Sequence, residues 1–343
     1  MAPDLLTPPS TSPLSLYRYR DGLYAADLLT AAIVEFDFFT WLDARPSTLE
    51  AVCAHFAFHP RPADVMLTLF TARGYVERRG GLFHVSAVGH EHLTSASPWY
   101  LAPYFGALRE RTFVQDFVRV LRTGQPASWG GGKSGQDWHV AMLDDAFARR
   151  FTAAMDCRGL YLGEALGRAV DLASHHRLLD IGGGSGIYSC ALAARHRHLR
   201  ATVLDQAPVA PIATTLVAER GLADRVTVTA SNFFADPLPS SHDVHLFSNV
   251  LHDWDVSEVQ HLLAASFAAL EPGGLLLIHD AFIDAEKGGP VPIAEYSVLL
   301  MHASQGKCYA TSEYERMLSD AGFTECRYQD TVADRGVMTA RRP

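Results

Sequence analysis

Residues 177–186 read RLLDIGGGSG, and the fold follows from them. Four residues of β-compatible character, Leu178 to Ile181, run into three consecutive glycines, and Ile187 to Arg195 then follows with helical character. That order is a strand, a tight turn and a helix start. Glycines let the chain bend and let a ligand approach the backbone, while the first turn of the helix offers unpaired N–H groups. A second run, ATVLD, ends in Asp205 and is followed by Gln206. In an open α/β sheet a carboxylate at that place accepts the hydroxyls of a ribose, so the pair of segments predicts a ribose-bearing cofactor.

Outward from this stretch, strands and helices alternate. Strands are expected at 177–181, 202–205, 226–230, 244–248 and 275–279, with helices such as 256–270 and 312–321 between or after them. The alternation predicts an α/β fold with a Rossmann-like, mostly parallel, doubly wound sheet. Before it, residues 16–44 show helical periodicity. Helices are expected at 49–56, with Ser47 or Thr48 as N-cap, and at about 63–73. The hairpin signal 75–85 turns at Arg79-Gly80-Gly81. Helices followed by a hairpin give a winged-helix order. Residues 98–128 and 144–172 read as further helices, joined through the glycine-rich stretch 129–135.

Composition narrows the class. The 343 residues are 48% hydrophobic and 20% charged with a net charge of −9, and no basic tail or apolar run of about 20 residues occurs. These features argue against nucleic acid or membrane as partner. The third helix of the winged-helix segment, ADVMLTLFTAR, carries no row of base-reading side chains. The Pro/Ser/Thr-rich residues 1–15 read as a disordered lead-in. Five scattered cysteines without a CxxC pair suit free thiols in a cytoplasmic protein.

Five segments in order resemble those of the class I S-adenosylmethionine-dependent O-methyltransferases of the plant caffeate and bacterial polyketide type: LLDIGGGSG, VLDQAPVA, RVTVTASNFFADPLP, SNVLHDWDVSEV and LEPGGLLLIHDAFI. The resemblance implies S-adenosylmethionine as cofactor, bound by Asp180, Gly182, Gly183, Gly184, Asp205, Gln206, Asn232, Phe233, Ser248 and Asn249. His252 would be the base that removes a proton from the acceptor hydroxyl, with Asp280 orienting it. The implied domains are a winged-helix dimerisation domain at 16–97, a helical linker at 98–172 contributing to an acceptor pocket, and the cofactor-binding catalytic domain at 173–343. The implied partners are a small aromatic or polyketide-like acceptor and a second copy of the chain. Met155, Trp129, Trp138, Tyr296, Leu299 and His302 are the candidate acceptor residues. No metal is expected.

The sequence departs from the family pattern in places. Asn232 stands where an aspartate is usual, and Ser248 and Asn249 where Lys and Trp are frequent. In SQGKCYATSEYE, Cys308 or Tyr309 occupies the place of a second carboxylate, while Glu313 belongs to the next helix. Methyl transfer to carbon, nitrogen or sulfur, another reaction with the same cofactor, and a winged-helix DNA-binding regulator are the alternatives.

Overall fold

The computed structural model describes residues 4–127 and 142–343. Among these, residues 4–13 hold no helix or strand. Helices α1 (Leu14–Asp21), α2 (Ala25–Val34) and α3 (Phe38–Ala44) come first, then α4 (Leu49–Phe56) and α5 (Pro60–Ala72). The hairpin β1 (Val76–Arg79) and β2 (Leu82–Val85) follows, with α6 (Ala87–Leu93), α7 (Ala102–Gly106) and α8 (Thr112–Thr123) after it. The remainder runs α9 (Asp145–Ala169), β3 (Arg177–Ile181), α10 (Ile187–Arg195), β4 (Arg200–Asp205), α11 (Ala210–Glu219), β5 (Val226–Ala230) and β6 (His242–Ser248). It ends with α12 (Val256–Ala269), β7 (Leu270–Asp280), α13 (Val291–Ala303), α14 (Thr311–Asp320), β8 (Thr324–Asp330) and β9 (Gly336–Arg341).

The described residues form two compact units. The first holds 4–14, 142–282 and 311–343, and the second holds 15–127 and 283–310. Residues 283–310, which the sequence reading kept within 173–343, thus pack with the helical unit.

In the first unit seven strands form one sheet in the order β5-β4-β3-β6-β7-β9-β8. The five strands β3 to β7 are parallel, and β9 and β8 continue the sheet antiparallel. Residues 178–181 of β3 are fully buried, as expected of a strand covered on both faces. Strand order reverses between β3 and β6, and an open α/β sheet binds ligands outside the strand C-termini at such a switch point. Helix α9 packs along α10, because Gly159 and Gly163 let Ile187 and Ala191 come close.

In the second unit, 16–44 is three helices instead of one continuous run. The chain breaks before α3, where Asp37 takes a left-handed φ of 45°. Residues 98–128 likewise divide into α7 and α8. Thr48 caps α4 by accepting from Ala51 N at 3.3 Å. Phe38, Phe39, Leu42, Met66 and Phe70 are among the fully buried side chains of this unit. Helix α5, the third helix of the winged-helix reading, is covered by α4 and α13 of its own unit, and residues 65–70 along it are all buried. Its Arg61 turns inward to donate to the Gly306 and Gly124 carbonyls. This removes the helix face a groove reader needs. No helix among the described residues is long and apolar enough to cross a membrane.

Candidate active site

The parallel strands deliver the predicted residues to one edge of the sheet. Asp205 ends β4, Ala230 ends β5 just before Asn232, Ser248 ends β6 and Asp280 ends β7. After β3 the chain turns so that the Gly182 and Gly183 N–H groups donate to Leu204 O at 2.9 and 3.1 Å. Gly182 has φ +71°, and a Cβ there would lie 3.0 Å from Val250 Cγ2 and 3.5 Å from Phe233 Cε1. Both dihedral and space therefore exclude a side chain. Gly184, at φ +57°, has nothing within 4 Å of its Cβ position, so the turn opens there. Its N–H donates to Asp205 Oδ2 at 2.8 Å, and Gln206 N donates to Oδ1 at 2.7 Å.

Two carboxyls sit under this turn. Burial pushes Asp205 up to about 6, against the pull of the two N–H groups it accepts from. Asp180 is fully buried and pushed up to about 7, also by burial, although Ser189 Oγ donates to its Oδ2 at 2.7 Å. Asp180 Oδ1 and Ser185 Oγ are buried with no hydrogen-bond partner among the described residues. An open glycine turn at a helix start, an acid at the next strand end and unsatisfied polar atoms beneath fit a cofactor carrying ribose and amino-acid groups.

His252 lies on the 3₁₀ turn Leu251–Asp253, which begins three residues past the end of β6. Its Nδ1 is 2.5 Å from Asp280 Oδ1, and both side chains are almost entirely buried. Ala281 N donates to the same oxygen at 2.7 Å. Burial alone would raise the Asp280 carboxyl. The His252 ring, its hydrogen bond, the Ala281 N–H and Arg335 outweigh it and hold the group below the ordinary carboxylate value. An ionised Asp280 accepts, so Nδ1 carries the proton and Nε2 is the basic nitrogen. Asp253 stands 3.9 Å from Nε2.

A family model described as an O-methyltransferase domain matches residues 115–324. A 3-hydroxy-5-methyl-1-naphthoate 3-O-methyltransferase of Streptomyces sahachiroi is 33% identical over 326 residues, covering 94% of this chain and 92% of that protein. The chain belongs to the O-methyltransferase family. The tetracenomycin polyketide synthesis 8-O-methyl transferase TcmO of Streptomyces glaucescens resembles this methyltransferase at 31% identity over 94% of both chains. Among solved structures, an O-methyltransferase family 2 protein from Planctomyces limnophilus DSM 3776 in complex with apigenin superposes with a TM-score of 0.90. The identity is 25%, with 100% of this chain and 99% of that one covered. The methyltransferase is S-adenosylmethionine-dependent.

The remaining predicted residues are placed unevenly. Phe233 is buried beside the Gly182 turn. The Asn232 side-chain oxygen Oδ1, on a residue expected to bind the cofactor, accepts from Phe234 N at 3.1 Å. Ser248 and Asn249 turn inward: Ser248 Oγ meets His279 Nδ1 at 2.9 Å, and Asn249 Nδ2 donates to Tyr188 OH at 3.1 Å. Met155 is half-buried on α9 of the first unit. Tyr296, Leu299 and His302 lie on α13 of the second. His302 is an interior residue there, stacked on Tyr24 with ring centroids 4.7 Å apart and 3.1 Å from Asp116 Oδ2. Trp129 and Trp138 lie outside the described residues. Cys308 and Tyr309 are both buried in the second unit, and Glu313 is on α14. Sequence reading missed Tyr188, His279 and Arg335. Tyr188 stands two residues past the glycine motif, whereas nothing in the local sequence marks Arg335.

Proposed function

We propose that the enzyme methylates a phenolic hydroxyl of an aromatic, polyketide-derived metabolite, with His252 as general base. The observation that carries this is the buried His252–Asp280 pair, 2.5 Å apart and three residues beyond the inward-turned Asn249. When bound, S-adenosylmethionine supplies an electrophilic sulfonium methyl group. His252 Nε2 takes the acceptor hydroxyl proton as that oxygen attacks, and Asp280 stabilises the imidazolium that forms. Asp205 would hold the ribose hydroxyls, the 182–184 turn the amino-acid part, and Phe233, buried beside that turn, the adenine side. The relatives named for a hydroxynaphthoate and for tetracenomycin support the acceptor class. Incubation with S-adenosylmethionine and hydroxylated naphthoates or polycyclic phenols is expected to give an O-methyl product, identified by NMR. A methyl group on carbon or nitrogen, or a product without one, would overturn the reading.

The enzyme works as a homodimer in this proposal. Tyr19 on α1 is 86% exposed and Tyr104 on α7 is 78% exposed, with Leu16, Leu23 and Trp99 also exposed in the same unit. A second copy that covered these side chains would remove their apolar area from water. Sedimentation equilibrium is expected to return twice the chain mass, and Tyr19→Glu with Tyr104→Glu to shift it towards one. A monomeric wild-type protein would rule the dimer out.

A further inference from the structure

We propose that Arg335 is a positioning residue for methyl transfer, which by gripping Asn249 fixes the exit turn of β6 on which both the glycine turn and His252 depend. The proposal rests on the reading of His252 as base.

Asn249 joins four pieces of the first unit. Its backbone takes a left-handed φ of 54°, and its N–H donates to His279 O at 2.8 Å, next to Asp280. Its Nδ2 donates to Tyr188 OH on α10 and to Ser248 Oγ, at 3.1 and 3.2 Å. Its Oδ1 accepts from Arg335 Nε at 3.2 Å. The next residue, Val250, is the one that lies against Gly182, and two further on is His252. A rotation of Asn249 would therefore move the wall of the glycine turn and the 3₁₀ turn together.

Arg335 is presented from the connection between β8 and β9 at a local cost. Ala333 and Asp334 before it both take left-handed φ values, 53° and 56°, a conformation unfavourable outside glycine. Arg335 as a residue is 5% exposed, and its Nη1 also donates to the Ala333 and Asp334 carbonyls. Its positive charge acts on three buried groups. It helps hold Asp280 ionised and, with Arg158, helps keep His279 neutral and Tyr188 easier to ionise than burial alone would allow. The titratable and charged groups around His252, Asp280 and Asn249 include Asp253, His279, Tyr188, Asp180, Arg158 and Arg335.

The test uses Arg335→Met, Arg335→Lys, Asn249→Ala and the Arg335→Met/Asn249→Ala double variant in full-length enzyme. Arg335→Met is expected to lower kcat about 10- to 100-fold, the range for a misplaced reacting group, with acceptor KM nearly unchanged. It also removes a positive charge that helps hold Asp280 ionised, so Asp280 keeps a proton to higher pH and the acid limb of the kcat–pH profile moves up. Arg335→Lys is expected to return the acid limb but not the rate, since an ammonium restores the charge without the guanidinium contact. The double variant is expected to lose no more than the worse single one. Wild-type kcat and acid limb in Arg335→Met would overturn the proposal. So would a loss of rate that disappears on cooling well below the unfolding midpoint, because that is a stability effect. Failure of the base reading is separate: it appears as wild-type turnover in His252→Asn, whatever Arg335→Met does.

Discussion

Replacing His252 is expected to cost about 10²–10⁴-fold in kcat while leaving donor binding intact, because the ring lies past β6, paired with Asp280, whereas the glycine turn and Asp205 follow β3 and β4. The choice of substitution matters. Alanine leaves the Asp280 carboxylate buried without its partner, and breaking a buried pair in that way costs about 3–5 kcal/mol. The carboxyl would then take up a proton, and part of any lost activity would reflect a damaged fold. Asparagine is the sharper probe. Its Nδ2 stands near the position of the imidazole Nδ1 and can still donate to Asp280 Oδ1, but it has no basic nitrogen. His252→Asn is expected to be as slow as His252→Ala while unfolding closer to the wild-type temperature. Binding of S-adenosylhomocysteine, measured by calorimetry, is expected to stay within about threefold of wild type in both, as for substitutions that remove only a transition-state contact. Methyl transfer at the wild-type rate in His252→Asn would eliminate His252 as the base. Asp280→Asn tests the orienting half of the pair. A neutral amide can donate to Nδ1, which favours the tautomer with the proton on Nε2, so it too is expected to be slow.

How far the sequence reads through to this site depends on the range of the forces involved. The run at 178–181, the three glycines and Asp205 are local features: apolar residues, a turn and an acid within 28 residues fix a strand–turn–helix–strand unit with its carboxylate under the turn. The His252–Asp280 pair was named through the family resemblance, and the two residues meet because β6 and β7 are adjacent and parallel, with Asp280 ending β7 and His252 on the turn after β6. What the sequence did not show was the direction of short polar side chains. Ser248 and Asn249 sit where cofactor contacts were expected, yet both turn inward, because buried His279, Tyr188 and Arg335 offer them partners. Arg335 is 86 residues from Asn249. Neither composition nor periodicity connects them, since the antiparallel β8 and β9 bring them together. The same limit applies to His302. A histidine among apolar residues on a helix resembles a pocket residue, until tertiary packing supplies Tyr24 and Asp116.

Asp205→Asn is expected to weaken S-adenosylhomocysteine binding about 10- to 100-fold at pH 7.5, the worth of one charged hydrogen-bonding interaction. Its pH dependence carries more information than its size. In the unliganded enzyme Asp205 is pushed up to about 6 and Asp180 up to about 7, both chiefly by burial. Ribose hydroxyls donate to an ionised carboxylate, so donor affinity should fall as the pH drops through about 6 and Asp205 takes a proton. Folding stability should respond in the opposite sense. A carboxyl whose folded value exceeds its unfolded value binds more protons when folded, so these two groups stabilise the unliganded fold as the pH falls from about 7 towards the ordinary carboxylate value. The rise in unfolding temperature produced by S-adenosylhomocysteine is therefore expected to shrink between pH 7.5 and 5.5, without a matching loss of unliganded stability from this pair. Asparagine cannot titrate, so the variant's weaker affinity should be flat across that range. If the affinity of Asp205→Asn still drops on acidification, the titrating group is Asp180 beneath the glycine turn. If the wild-type affinity itself is flat, neither carboxyl changes its protonation when the donor binds, and the assignment of Asp205 to the ribose rests on the affinity loss in Asp205→Asn alone.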